Sequence, residues 1–402
     1  MNRSQTALLL AAAVAAPSFA QPATPKPDPK PVGLVVHEWG TFTSFSGPSG
    51  DIRPIRVALG EDLPDFVQGR AYGNEWSSVR NIDSFKQALS AEQRMETPVI
   101  YFYSDTPQDV SVHVRMPQGL ITEVFPPVSA CAPKAIEDPS VLAGGSSVAW
   151  DHIHIVPNTC CDFIAMPQGG ESHYFQARAT KANSVTLKQG DKSFGERFLF
   201  YRGIGRGDMG LKAKALGNDQ FVLEKSEAGP LSTVFAVEVA GDRVRFAEVH
   251  DVKAGDKLSL PSQATSGDSL GAAMTDALTR AGLFPDEARA MVNTWKSLWF
   301  GESGTRLMAI MPRASIDQAL PLDITPSPTQ TSRVFVARLE MLTPERLRWT
   351  EDVIARIDAA PAAQRDAAAL ELNVLGRFKD AALAIAHDDT TRNPRKPTVK
   401  AD

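Results

Sequence analysis

The chain has 402 residues, 43% of them apolar and 22% charged, so it can bury a sizeable core and is not a disordered segment. Its 29 prolines and 28 glycines are spread along the whole length and favour many short elements, which excludes a coiled coil. The formal net charge is −5 and no basic cluster stands outside the C-terminal tail, which excludes a nucleic-acid partner, because phosphate binding needs a concentrated basic surface.

A single cation, Arg3, precedes the apolar stretch Ala7 to Ala16, and Ser18-Phe19-Ala20 then places small residues at the two positions a signal peptidase reads. Residues 1–20 therefore read as a signal peptide, cleaved after Ala20, and the protein as periplasmic or secreted. The stretch is shorter than the roughly 20 residues a membrane span requires, so no span is expected in the mature chain. Cleavage removes one cation and no acid, which moves the net charge to −6. Residues 21–31, QPATPKPDPKP, hold five prolines and form an extended linker.

From Val32 to about Ser262, short apolar runs separated by turn residues predict a β-rich domain. The run Val32 to Phe42 alternates, placing Leu34, Val36, Glu38 and Phe42 on one face and Val35, His37, Trp39 and Thr41 on the other. Val110 to Met116 and Leu120 to Phe125 flank Pro117-Gln118-Gly119 and read as a hairpin, as do Thr233 to Val239 and Val244 to Val249 around Gly241-Asp242. After residue 262 the period lengthens to that of helices, over Asp268 to Ala281 and Pro285 to Trp299, before strands return at Arg306 to Met311 and Arg333 to Leu342. This mixed segment, 263–342, is expected to pack on the β-rich part. Thr343-Pro344-Glu345 caps a helix to about Ile357, and an alanine-rich helix is expected from Gln364 to His387, making 343–388 a C-terminal helical segment before a disordered tail over 389–402. The whole is an α+β chain, with an antiparallel sandwich or open barrel-like part first, a mixed segment next and helices last.

The runs VVHEWGTFTSFSG (Val35 to Gly47), RMETPVIYFY (Arg94 to Tyr103), ERFLFYRGIG (Glu196 to Gly205) and ARAMVNTWKSLWFGESGTRLMAIMPR (Ala288 to Arg313) resemble a family of secreted bacterial proteins marked by HEWGTFTS and RMETPVxYFY. The resemblance implies a signal peptide and an envelope setting. It brings no known activity and no catalytic residues.

Chemistry must be argued from residue types. His37 and Glu38 cannot act as neighbours on a strand, since successive side chains point to opposite faces. A buried Glu38 would need a cation, and Arg53, Arg56 and Arg94 are nearby in sequence; a carboxylate held this way is a structural anchor more often than a catalyst. Glu38, Glu96 and Glu123 are the candidate catalytic carboxylates, since two of them about 5 to 10 Å apart would suit glycoside cleavage. In Trp150-Asp-His-Ile-His, the side chains of His152 and His154 fall on one strand face roughly 6 to 7 Å apart, and His173, Asp151 or a cysteine would complete a site for a divalent metal such as zinc. Three cysteines in an exported chain suggest one disulfide; Cys160 and Cys161 are adjacent, so Cys131 pairs with one of them. Gly267-Asp268-Ser269-Leu270 matches an esterase block in letters only, and Asp268 reads better as a helix cap; Gly301-Glu302-Ser303-Gly304 lacks the spacing of a nucleophile elbow. No phosphate loop or dinucleotide fingerprint is present.

Two readings remain open: an exported structural or binding protein with a glycan or other envelope ligand, and a secreted metal- or carboxylate-dependent hydrolase of a polysaccharide or other envelope polymer. N-terminal sequencing of protein recovered from the envelope fraction is expected to begin at Gln21; finding intact Met1 would contradict export by this signal.

Overall fold

The computed structural model describes residues 33–56, 63–71, 73, 76–79, 90–137, 144–157, 172–206, 209–225 and 229–392. The expected signal peptide and linker, Cys160, Cys161 and residues 393–402 lie outside the described residues, while residues 389–392, expected in a disordered tail, are helical.

In chain order the principal strands are β1 (Val35–Ser46), β2 (Gln93–Tyr103), β3 (Gln108–Met116), β4 (Gly119–Phe125), β5 (Ser146–Val156), β6 (Ser184–Gln189), β7 (Lys192–Glu196), β8 (Leu199–Gly205), β9 (Leu231–Ala240) and β10 (Arg243–Val252). Helices α1 (Gly267–Arg280) and α2 (Pro285–Phe300) follow, then β11 (Gly304–Ile310), α3 (Arg313–Ala319), β12 (Leu322–Thr325) and β13 (Gln330–Met341). The chain continues through α4 (Pro344–Ala359), α5 (Ala362–Leu370) and α6 (Lys379–Arg392).

An 11-stranded sheet runs in the order β10-β9-β11-β13-β1-β2-β8-β4, continues into Gln68–Arg70 and Trp76–Ser78, and carries Ile52–Arg53 beside β1. Among the described residues, the β1–β13 pairing is the one parallel pairing in this sheet. The strands β11 and β13, from the 263–342 segment, stand between β9 and β1 and are built into this sheet. A second sheet of six strands runs β7-β6-β5-β3-β12, with Ala130–Ala132 beside β5. The strand-rich α+β class read from the sequence is the class observed.

The large sheet is covered on both faces. On one, Val36, Phe42 and Ile121 join Val112, Val114 and Trp150 of the second sheet in one core. On the other, Trp39, Tyr101 and Phe235 pack with Leu270 and Met274 of α1 and with Met291, Trp295 and Trp299 of α2. Alternation along β1 thus sends Trp39 and Phe42 to different cores, and both are fully buried. Gly40 is required between them, because a Cβ there would run into the Phe335 ring and the backbone of Pro98.

Three expectations need correction. β3 and β4 do not form a hairpin: β3 pairs with β5 and β12, β4 with β8 and Gln68–Arg70, so Pro117-Gln118 is a corner that steps from one sheet to the other. Both arrangements turn the same alternate residues inward, so apolar spacing does not distinguish them. The N-cap of α1 is Ser266, whose hydroxyl accepts from the Ser269 N–H, and not Asp268, which falls in the first turn. The alanine-rich helix is interrupted by a 3-10 stretch, Glu371–Phe378, in which Gly376 takes φ 52° and ψ −136°; only a glycine adopts that pair readily. The cap of α4 is the expected one, with the Thr343 hydroxyl accepting from the Arg346 N–H.

Replacing Trp39 or Phe42 by Ala is expected to cost about 3 to 5 kcal/mol each, measured by urea unfolding. Parent-like stability in either variant would show that its face of β1 is not covered.

Candidate functional site

β1 is buried along its whole length yet carries charge, and a buried charge must be paired. Glu38 is fully enclosed; its Oε2 accepts from Arg333 Nε at 2.5 Å and its Oε1 from the Tyr201 hydroxyl. Arg333 lies opposite Glu38 in the parallel register with β13, 295 positions along the chain, which is why none of Arg53, Arg56 and Arg94 serves as the partner. Those three bond Asp51, Asp380 and Glu96. Arg333 Nη1 then reaches Asp317 of α3 at 2.7 Å. Burial works against the charge on Arg333, but Glu38 and Asp317 overcome it and hold the guanidinium more firmly protonated than usual. Burial and the Glu38 charge together push the Tyr201 hydroxyl well above the ordinary tyrosine range.

On the opposite face, His37 Nδ1 lies 2.8 Å from Glu287 Oε2, and Tyr103 donates to Glu287 Oε1 at 2.6 Å. Glu287 also accepts the Phe284 N–H, so one carboxylate fixes the start of α2 and orients the imidazole. The other end of α2 has no basic residue in its last turn. Arg306 and Arg338 of the sheet take that place: Arg306 Nη1 donates to the carbonyls of Leu298 and Trp299, and Arg338 Nη1 to that of Leu298.

Glu96 belongs to this second face. An irregularity opposite Gly40, with Thr97 at φ 52°, shifts the alternation of β2, so Met95 and Ile100 face the same core although five positions apart. Glu96 is thereby turned toward Arg377, at 2.8 Å, Arg94, at 2.9 Å, and the Thr43 hydroxyl, at 2.8 Å. Burial alone would raise its pKa; Arg377, Arg94 and Arg202 reverse this and bring it down to about 2. The third candidate, Glu123, is buried opposite Arg202 and accepts from Thr122. Glu38 and Glu96 are separated by the sheet itself, and Glu96 is a permanent carboxylate anchor at neutral pH, with no proton to donate as a general acid.

The histidines do not come together. His152 sits at φ 55° where β5 breaks register, exposed, its N–H directed to the Ser111 hydroxyl. His154 Nδ1 meets Asp109 at 2.8 Å in solvent. His173 begins a 3-10 turn and packs on Trp295, with ring centroids 5.3 Å apart. Among the described residues no group of three His, Cys, Asp or Glu side chains is arranged to hold a metal. Cys131 is a free cysteine, half-buried, with Trp76 Nε1 3.5 Å from its sulfur; its two expected partners lie outside the described residues.

A cleft of about 620 Å³, room enough for a small ligand, lies at the corner between the two sheets. Gln93 and Phe42 form part of its wall, Met116 and Gln118 belong to the corner, Arg206 directly follows β8, and Ser315 and Gln318 come from α3. The glycines of Arg202-Gly-Ile-Gly205 and Gly119 across the corner let the strands approach closely: a Cβ at Gly119 would run into the Ile204 carbonyl and one at Gly203 into the Leu120 carbonyl, and the Met116 thioether lies close over all three glycines. Helix α3 is fixed against the sheet by Asp317 on Arg333 and by Ile316, which is fully buried. Gln93 is 4% exposed, and its Nε2 has no hydrogen-bond partner. The sequence carried one sign of this, since Gln93 alternates in phase with Met95 and must therefore point inward.

No family model matches the chain, and no curated protein matches it. Among solved structures it is similar to the Fcho1 Mu homology domain of Danio rerio with bound Eps15 peptide, at 7% identity and a TM-score of 0.29, over 77% of this chain and 97% of that one. A likeness at that level carries no argument about fold or function. No helix among the described residues is long and apolar enough to cross a membrane.

The anchor role of Glu96 has a pH signature. Its folded pKa is about 2 against an ordinary 4.5, so its contribution is complete above about pH 4.5 and is lost as the pH falls toward 2. That contribution is about 3 kcal/mol. Glu96→Gln is expected to lower stability at pH 7 and to flatten the decline between pH 4.5 and 2.5 in urea unfolding; an acid slope equal to the parent's would contradict the assignment.

Proposed function

We propose that this is an exported binding protein of the cell envelope, in which two packed sheets serve as a scaffold and the corner cleft takes up a small ligand. Export rests on the N-terminal pattern of Arg3, the apolar stretch and Ser18-Phe19-Ala20. Binding rests on one observation above the others: the corner cleft of about 620 Å³, whose lining includes Gln93, Gln118, Arg206, Ser315 and Gln318 as polar side chains. Beside the cleft, the Nε2 of Gln93 is a buried donor without an acceptor, which costs about 1 to 3 kcal/mol. The cleft volume lies within the range of about 300 to 1,000 Å³ that small-molecule sites occupy. The hydrolase reading loses its carboxylates, because Glu38 and Glu96 are enclosed and ion-paired on opposite faces of one sheet.

Gln93→Met keeps the volume and removes the orphaned amide. In urea unfolding the ligand-free variant is expected to equal the parent or exceed it by up to about 3 kcal/mol, the reverse of an ordinary buried-polar substitution. Native mass spectrometry of the protein released gently from the envelope is expected to show a discrete added mass on the parent that the variant loses. A destabilised variant together with identical native masses would overturn the reading.

A further inference from the structure

The 11-stranded sheet ends on β10, and we infer that this edge pairs with the same edge of a second copy of the chain, joining the two sheets across a two-fold axis at Val249. β10 runs over ten residues and is hydrogen-bonded along one side to β9. On its other side, among the described residues, the backbone contact is at one end, where the Thr265 N–H donates to the Val244 carbonyl at 2.7 Å. In an antiparallel strand the groups that point away from the neighbour recur at every second residue, so Phe246, Glu248 and His250 direct their N–H and C=O outward as Val244 does. Sheets blunt such an edge with lysine, proline or a short strand, and β10 has none of these. The residues from Phe246 to Val249 are half-buried and His250 is exposed, so this stretch lies open to a partner, up to the irregularity at Asp251, φ 54°.

Complementarity of the strand with itself selects the second copy and the register. Centred on Ala247, an antiparallel pair would set Val244 opposite His250 and need the carbonyl that Thr265 already holds. Centred on Glu248, it would set two carboxylates against each other, and centred on His250 it would run across the irregular Asp251. Centred on Val249, it places Glu248 of each copy opposite His250 of the other, twice over, with Val249 against Val249 between them. Both polar side chains lie on the α1 face of the sheet, since Arg280 of α1 bonds Glu248 Oε1 at 2.6 Å. That leaves the second oxygen of Glu248 for an imidazole N–H. Within its own copy His250 makes long contacts, 3.4 Å to the Thr233 hydroxyl and 3.5 Å to Glu248, so the imidazole gains a close acceptor on pairing.

Sedimentation equilibrium of the purified protein is expected to show a concentration-dependent equilibrium between monomer and dimer. His250→Glu sets carboxylates opposite each other on both sides of the axis and is expected to weaken the dimer about tenfold or more, while the exchange of Glu248→His with His250→Glu restores it. Urea unfolding of the same variants separates a loss of pairing from a loss of fold. Val249 falls at a non-hydrogen-bonded position on the axis, where opposing Cα atoms lie about 4.5 Å apart, so Val249→Cys is expected to cross-link two copies on oxidation and Ala247→Cys is not. The cross-link does not involve Arg280, so it decides the register even where the exchange disturbs α1. A protein that stays monomeric, a dimer indifferent to His250→Glu, or cross-linking of Ala247→Cys equal to that of Val249→Cys would each overturn the proposal.

Discussion

The interaction on which this architecture depends is the ion pair between Glu38 and Arg333. β1 lies in the middle of the 11-stranded sheet with a core on each side, so water reaches neither face. A carboxylate in that position is tolerated only with a cation in direct contact, and the one parallel pairing of the sheet supplies it by setting Arg333 beside Glu38. The same guanidinium then holds Asp317, which fixes α3, and α3 forms one wall of the cleft. A charge buried near the start of the chain thereby positions a surface assembled near its end.

The other face repeats the principle with different partners. Glu96 and Arg377, 281 residues apart, tie the C-terminal helical segment to the sheet, while Phe45, Leu342 and Phe378 close a small apolar cluster beside that contact. Arg306 and Arg338 satisfy the carbonyls that end α2, and Glu287 holds its beginning against His37 and Tyr103. Such pairs add little net stability over an apolar core, but breaking one side leaves an uncompensated buried charge, at about 3 to 5 kcal/mol. Their consequence is selectivity among pairings: a strand order in which Glu38 misses Arg333, or Glu96 misses Arg377, is strongly disfavoured.

What could be read from the sequence was local. Period-2 alternation in β1 assigned Trp39 and Phe42 to opposite faces, the turn Gly241-Asp242 joined β9 to β10, and the 3.6-residue period located α1 and α2. Two further signals were present but ambiguous. Gly376 inside the alanine-rich run marks the break between α5 and α6, and Pro98 inside an aromatic strand accompanies the irregularity that redirects Glu96. The cleft was not legible, since Phe42, Gln93, Arg206 and Ser315 come from elements whose nearness is decided by strand order, and alternation is silent on which sheet a strand joins. The corner at Pro117-Gln118, where two strands expected to pair belong to different sheets, is the same limitation in its simplest form.

A double-mutant cycle on Glu38 and Arg333 tests the organising role of their pair most directly. Glu38→Gln and Arg333→Met, singly and together, are to be compared by urea unfolding. The double variant is expected to be at least as stable as either single one, with a coupling of about 2 kcal/mol or more, because removing both charges leaves neither stranded. Single effects that add to within about 0.5 kcal/mol would mean that the two residues act independently and that another contact sets the register of β1 against β13.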